Sequence, residues 1–322
     1  MRTAFEALIF ENLNIIQGSN RIVAKLGFLG LGIMGNPMAL HLADAGHTLA
    51  VWSHNPQKAR ELVKSADAVF CESPEAVAEQ SDCVFLCVGD TAMSHEVILG
   101  ERGLVQGAKP GFIIVDCSTV SPLESARIAS ELSSRQIHFL DAPCTGSKAG
   151  AERGELTFMI GGPAEVFEQV RSYFGAMGKA LYYCGKSGMG LRAKLTQNLI
   201  LGNLLQAFNE GLVLSTKAGV DPELMLDILN NSAARSGLIA AKAPAVFNRD
   251  FSTNFSVKWL SKDIRLAIDL GSEIGVPLPL TALAQQLFQS AVAKGYGEED
   301  ICGSIRVLEE LAGCEVKTAR QA

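Results

Sequence analysis

No run of about 18 or more apolar residues occurs anywhere in the 322-residue chain, so no segment reads as a membrane-spanning helix. Nor does it open with a basic segment followed by an unbroken apolar core. Residues 1–24 are interrupted by Glu6, Glu11 and Arg21 and do not read as a signal peptide. They read as an N-terminal extension, either tethered to a fold that begins near Lys25 or produced by a misassigned start site. Basic residues form no stripe, and a formal net charge of -6 offers no general attraction to nucleic acid or to an anionic membrane. The eight cysteines contain no C-x-x-C pair, and most of them sit in apolar, strand-like runs. A disulfide scaffold and a zinc site are thereby disfavoured, and reduced thiols in a cytoplasmic protein with no metal are expected. The five histidines are unclustered, with His41 and His47 falling in a first helix and at its exit. There is no internal repeat and no low-complexity tract.

What the chain does have is 48% hydrophobic and 19% charged residues, the balance of a globular α/β protein, at a length that calls for two domains. Its most informative stretch is Lys25-Leu-Gly-Phe-Leu-Gly30-Leu31-Gly32-Ile33-Met34-Gly35, an apolar strand running into Gly-x-Gly-x-x-Gly and then into a helix. In that context the glycines mark a dinucleotide-binding turn. Gly30 permits the tight turn, Gly32 lets the backbone approach a pyrophosphate, and Gly35 lets helix and strand pack closely. The helix N-terminus adds free N–H groups and a partial positive charge for phosphate. Gly30, Leu31, Gly32, Ile33, Met34 and Gly35 are therefore the expected phosphate-side contacts.

From Lys25 onward, short β-rich runs (26–29, 48–52, 68–71, 83–88, 112–116, 138–142 and 156–160) alternate with helical patterns, the signature of a parallel, doubly wound sheet. Beyond Gly185 helical periodicity takes over, at 190–219, 222–232, 256–274 and 278–294. The expected organisation is a Rossmann domain at 25–187, an all-helical domain for substrate and oligomerisation at 188–312, and a tail at 313–322. The helix beginning near Gly190 is apolar on many sides (Leu195, Leu199, Ile200, Leu204, Leu205, Phe208, Leu212, Leu214), which points to burial between domains or between subunits of a homodimer or homotetramer.

Several strand ends offer chemistry. The second strand ends in Trp52-Ser53-His54-Asn55-Pro56-Gln57-Lys58, with no carboxylate to accept from the ribose hydroxyls of NAD. Ser53, Asn55, His54 and Lys58 instead suit a 2′-phosphate, so NADP is favoured and NAD remains possible. Val88 follows another strand, and Ser118, Thr119 and Ser121 a third. Each hydroxyl there serves equally well as a helix cap or as a contact to the nicotinamide ribose. The loop Thr145-Gly146-Ser147 presents adjacent N–H groups and hydroxyls suited to a carboxylate. Lys194 and Asn198, at i and i+4, share one helix face at the domain junction. Burial there and a nearby helix N-terminus would lower the lysine's pKa and make it a usable general acid.

These segments together resemble the β-hydroxyacid dehydrogenases. The matching motifs are Gly-Leu-Gly-Ile-Met-Gly at 30–35, Asp-Cys-Ser-Thr at 116–119, Asp-Ala-Pro-Cys-Thr-Gly at 141–146, Lys194-x-x-x-Asn198 and Lys262-Asp263, in order from Lys25 to about Leu311. The resemblance implies that Lys194 is the catalytic acid/base, that Asn198 supports substrate and lysine, and that Thr145 and Gly146, with Ser147, hold the substrate carboxylate. It further implies that Thr119 and Lys262 contact the cofactor while Phe255 and Asp263 close the site. Thr-Gly-Ser-Lys at 145–148 and Asn209-Glu210-Gly-Leu-Val-Leu are most similar to the glyoxylate/succinic semialdehyde reductases. In two places the chain departs from them: Ser53-His54-Asn55 stands where they usually have Asn-Arg-Thr, and Thr145 where they usually have serine. The activity implied is NADPH-dependent reduction of small aldehyde acids. The alternatives are 3-hydroxyisobutyrate dehydrogenase with NAD or NADP and, more distantly, a cofactor-binding scaffold without turnover. The short helical domain disfavours a 6-phosphogluconate dehydrogenase.

Overall fold

The structure is a computed structural model that describes residues 23–318. The expected N-terminal extension falls almost wholly outside the described residues, as does the end of the expected tail. The first half alternates strand and helix: β1 (Lys25–Leu29), α1 (Gly35–Asp44), β2 (Thr48–Trp52), α2 (Pro56–Leu62), β3 (Ala68–Phe70), α3 (Pro74–Glu79), β4 (Cys83–Leu86), α4 (Thr91–Leu99), α5 (Leu104–Gly107), β5 (Ile113–Asp116), α6 (Pro122–Ser134) and β6 (His138–Asp141). Then come β7 (Cys144–Thr145), α7 (Ser147–Glu152), β8 (Leu156–Gly161), α8 (Ala164–Met177) and β9 (Gly178–Gly185).

These strands form one sheet in the order β3-β2-β1-β4-β5-β6-β8-β7, with β9 beside β8. Strands β1 to β6 pair in parallel. Every residue of β4 and β5 is buried, as a sheet covered by helices on both faces requires. The chain leaves β1 for β2 and β3 on one side and for β4 to β6 on the other, so the switch point lies at the carboxyl ends of β1 and β4. The sheet departs from the all-parallel expectation at β8, which runs antiparallel to β6 and β7. The reason is the short connection: β7 and α7 occupy the carboxyl side of the sheet, and the chain turns straight back instead of crossing over. A full crossover through α8 then makes β9 parallel to β8.

The second half is helical: α9 (Met189–Lys217), α10 (Pro222–Asn230), α11 (Gly237–Phe247), α12 (Val257–Glu273), α13 (Pro279–Ala291) and α14 (Ile305–Ala312). Its core joins Leu205, Phe208 and Leu212 of α9 to Ile264, Phe288 and Ile305. Gly202 lets α9 and α12 come together, since a β-carbon there would lie 2.8 Å from Ile264 Cδ1. Burial of α9 is one-sided within the chain. Leu195 and Leu205 are fully enclosed, while Ile200 and Leu214 are 59% and 72% exposed. All eight cysteines are free thiols. Among the described residues no helix is long and apolar enough to cross a membrane.

Candidate active site

The glycine turn between β1 and α1 has the geometry its spacing predicts. Gly30 sits at φ 87° with its flank against the Cys87 carbonyl, 2.2 Å from where a β-carbon would be. A β-carbon on Gly35 would lie 1.9 Å from the Gly30 carbonyl oxygen, so only glycine allows α1 this close to the turn. Gly32 is the opposite case, with nothing within 4 Å of its missing side chain. No side chain caps α1, although the Asn36 N–H already donates to the Gly32 carbonyl at 3.1 Å and Pro37 carries no N–H, so an anion at this terminus would be met by the N–H groups of the turn itself.

From this turn a crevice of about 300 Å³ runs along the carboxyl ends of the strands to the helical domain. All the sequence-expected site residues line it except Gly30, Leu31, Ser53, His54, Asn55 and Lys58. Leu31 is buried beneath the turn. Gly30 packs against Cys87, and Ser53, His54, Asn55 and Lys58 follow β2, the parallel neighbour of β1, with Lys58 in the first turn of α2. There Ser53 is buried and Asn55 caps α2, its Oδ1 accepting from the Gln57 N–H at 3.1 Å. The hydroxyls after β5 divide between the two roles left open by the sequence. Ser121 caps α6, while Thr119 lines the crevice. Ser118 Oγ accepts from the Val88 N–H at 2.8 Å and so ties the end of β4 to that of β5. Beneath it the buried Asp116 accepts from Ser94 Oγ and the Ser118 N–H at 2.5 and 2.8 Å.

At the inner end a polar chain crosses from one helix to another. Lys194 Nζ donates to Asn198 Oδ1 at 3.1 Å, and Asn198 Nδ2 donates to Asp263 Oδ2 at 2.6 Å. Asp263 Oδ1 lies 3.1 Å from Lys262 Nζ, close enough for an ion pair but without hydrogen-bond alignment. Lys262 Nζ also donates to the Thr119 carbonyl, joining α12 to the end of β5. Lys194 is only 6% exposed, and desolvation pulls its pKa below the ordinary lysine value, with the Asp263 charge acting in the opposite direction. Facing it, Gly146 (φ 140°) and Ser147 (φ 58°) turn the backbone at the start of α7.

Two carboxylates buried outside the crevice hold its walls. Asp141, at the end of β6, accepts from the Gly188 and Leu191 N–H groups at 2.6 and 2.9 Å and so fixes the start of α9, the helix that carries Lys194 and Asn198. Burial pushes its pKa up to about 6. Asp300 pairs with Lys242 at 2.8 Å and accepts from the backbone N–H groups of Asn254 and Phe255 at 3.1 and 3.2 Å. It therefore pins the loop that carries Phe255. Asn254, Ser256 and Trp259 also line the crevice, beyond the residues expected from the sequence. The spacing of Trp259, Lys262 and Asp263 at i, i+3 and i+4 was the available signal, since it puts all three on one face of α12.

The residues fit a dinucleotide on three counts. Space stands open at Gly32, the N-terminus of α1 is uncapped, and Ser256 Oγ and Asp263 Oδ1 are buried in the wall without a hydrogen-bond partner.

Known proteins agree with this architecture. Residues 25–185 match the family described as the NAD binding domain of 6-phosphogluconate dehydrogenase, and residues 188–308 match NAD-binding of NADP-dependent 3-hydroxyisobutyrate dehydrogenase. The chain is 37% identical to 2-hydroxy-3-oxopropionate reductase of Escherichia coli (strain K12), over 89% of this chain and 98% of that protein. It is 36% identical to 2-(hydroxymethyl)glutarate dehydrogenase of Eubacterium barkeri, over 91% and 97%. With the chloroplastic glyoxylate/succinic semialdehyde reductase 2 of Arabidopsis thaliana it shares 34% identity, over 88% and 79%. The chain belongs to the β-hydroxyacid dehydrogenase family and is an NAD(P)-dependent oxidoreductase acting on CH–OH groups.

Proposed function

We propose that the crevice binds NADPH and reduces small aldehyde acids such as glyoxylate and succinic semialdehyde, with Lys194 as the proton donor. The observation that carries this reading is the buried chain Lys194–Asn198–Asp263 opposite the Thr145-Gly146-Ser147 turn. When bound, a reduced nicotinamide supplies a hydride to the aldehyde carbon. Lys194 Nζ gives a proton to the aldehyde oxygen, so a hydroxyl forms and the lysine is left neutral until solvent reprotonates it. Asn198 holds the ammonium in place and takes its own orientation from Asp263. Thr145, Gly146 and Ser147 bind the substrate carboxylate, and Phe255 closes the apolar side.

Two cations line the crevice among the described residues, Lys194 and Lys262, and Lys262 is tied to Asp263 and Thr119. A substrate with a single carboxylate suits that balance. For the cofactor, Ser53, His54, Asn55 and Lys58 after β2 favour a 2′-phosphate over a bare ribose. Run backwards, the same site oxidises a hydroxy acid. The match of residues 188–308 to an NADP-dependent 3-hydroxyisobutyrate dehydrogenase makes that the second reading. We also assign the protein to a homodimer or homotetramer, because the exposed Ile200 lies in an open groove with Met189, Leu204 and Leu238.

The test is Lys194→Met, which removes the ammonium at similar volume. NADPH affinity, followed by fluorescence, should be unchanged. Reduction of succinic semialdehyde at saturating cofactor should fall by about two to four orders of magnitude, the usual contribution of a placed general acid. A variant that reduces the aldehyde at near the wild-type rate would remove Lys194 from its role.

A further inference from the structure

Trp259 is one of only two tryptophans in the chain and lines the crevice from α12, beside residues that already join the two halves of the molecule. Its ring rests on Gly89, at the turn after β4. A β-carbon on Gly89 would lie 2.7 Å from Trp259 Cη2 and 3.3 Å from Cζ2, so the indole occupies the volume a side chain at that position would need. The turn beneath is held by side-chain hydrogen bonds on both sides of Gly89. Ser118 Oγ holds the Val88 N–H at 2.8 Å, and Asp90 caps α4 by accepting from the Met93 N–H at 2.8 Å. The ring is held from above as well, with Lys258 Nζ and Lys262 Nζ 4.9 and 5.7 Å from its centroid. Lys262 in turn reaches the Thr119 carbonyl. One face of α12 thus spans two adjacent strand ends, Trp259 at β4 and Lys262 at β5, and the crevice passes beneath it.

That placement separates two ends of the crevice. On one side lies the open glycine turn at Gly32, and on the other the Lys194 chain. A dinucleotide spanning the two would have to pass the indole, whose partner Gly89 belongs to the opposite domain. We infer that Trp259 is a clamp for the nicotinamide-ribose end of the cofactor, a positioning residue whose contact with Gly89 must break before bound NADP or NADPH can leave. The inference rests on the proposal that this crevice binds the cofactor. It assigns to Trp259 no part in proton transfer and none in holding the substrate carboxylate.

The experiment measures NADPH dissociation by stopped-flow displacement with excess NADP, in wild type and in Trp259→Ala, Trp259→Phe and Gly89→Ala. Circular dichroism and a gel-filtration profile verify that each is folded. Trp259→Ala should release NADPH about tenfold faster, a loss on the scale of one aromatic contact, and should raise the KM for NADPH. The KM for succinic semialdehyde should stay within about threefold, a change small against the tenfold steps that 1.4 kcal/mol produces. Trp259→Phe should recover most of the retention. Gly89→Ala, which puts a methyl group where the ring edge sits, should reproduce the faster release with the tryptophan intact. In a Trp52→Phe background, excitation of Trp259 should yield nicotinamide emission on binding, because the donor lies against the acceptor. Release from Trp259→Ala at the wild-type rate, or a loss confined to the KM for the semialdehyde, overturns the clamp. Wild-type protein that binds neither NADPH nor NADH overturns the cofactor reading beneath it.

Discussion

Lys194 is where a single residue's environment makes a measurable claim. Its ammonium form is the proton donor, burial disfavours that form, and the folded pKa therefore lies below the ordinary lysine value. As pH rises through that lowered pKa the ammonium is lost. The rate of aldehyde reduction should then fall on an alkaline limb, while oxidation of the corresponding hydroxy acid, which needs the free amine, should rise. Asp263 works against the shift. Asp263→Asn removes its charge and should move the limb to lower pH, as read from kcat/KM profiles in both directions. A limb that stays in place would detach Asp263 from the lysine. Sequence made Lys194 and Asn198 visible, because an i, i+4 pair at a domain junction can be read off the chain. It left Trp259, Asp141 and Asp300 unassigned, because their roles are contacts with Gly89, with the start of α9 and with the 254–255 loop, and spacing along the chain does not encode such contacts.

Among the elements, α9 carries the chemistry and its start is the point to test. Asp141 accepts from two N–H groups there, and the glycines packed against it leave no room for a larger acceptor: a β-carbon on Gly161 would lie 2.5 Å from Asp141 Oδ1. Asp141→Ala leaves buried donors unsatisfied and should cost about 1–3 kcal/mol of stability in urea unfolding. Because burial lifts the folded pKa from 3.8 to about 6, the stability contributed by the titration of Asp141 is fully present below the lower value and is lost as pH rises through the upper one. The gap between wild type and Asp141→Ala should therefore widen as pH falls through that window. A gap that narrows would mean the carboxylate is stabilised in its ionised form.

Element by element, the strands β1 to β6 and β8 and the helices α9, α10, α12 and α13 were legible from apolar runs and 3.6-residue periodicity. The rest escaped for local reasons. Strand β7 has only two residues, and β9 exposes Tyr182 and Tyr183 and lacks a clean alternation. Helix α11 begins at a glycine and contains Pro244, both of which read as breakers. The antiparallel turn at β8 is a matter of topology, which a run of apolar residues does not specify.

For the molecule as a whole, an α/β half and a helical half meet along one crevice, and the proposed activity belongs to neither half alone. The phosphate side comes from the glycine turn, the carboxylate turn from the end of the sheet, and the proton donor from the first helix of the second half. The most direct measurement is a matrix of initial rates, with NADPH and with NADH, across glyoxylate, succinic semialdehyde, tartronate semialdehyde, methylmalonate semialdehyde and 6-phosphogluconate. The expected result is efficient reduction of one or more of the semialdehyde or glyoxylate substrates, a higher kcat/KM with NADPH than with NADH, and no turnover of the phosphorylated sugar acid. Tight NADPH binding with no reduction of any of these aldehydes, or efficient turnover of 6-phosphogluconate, would contradict it.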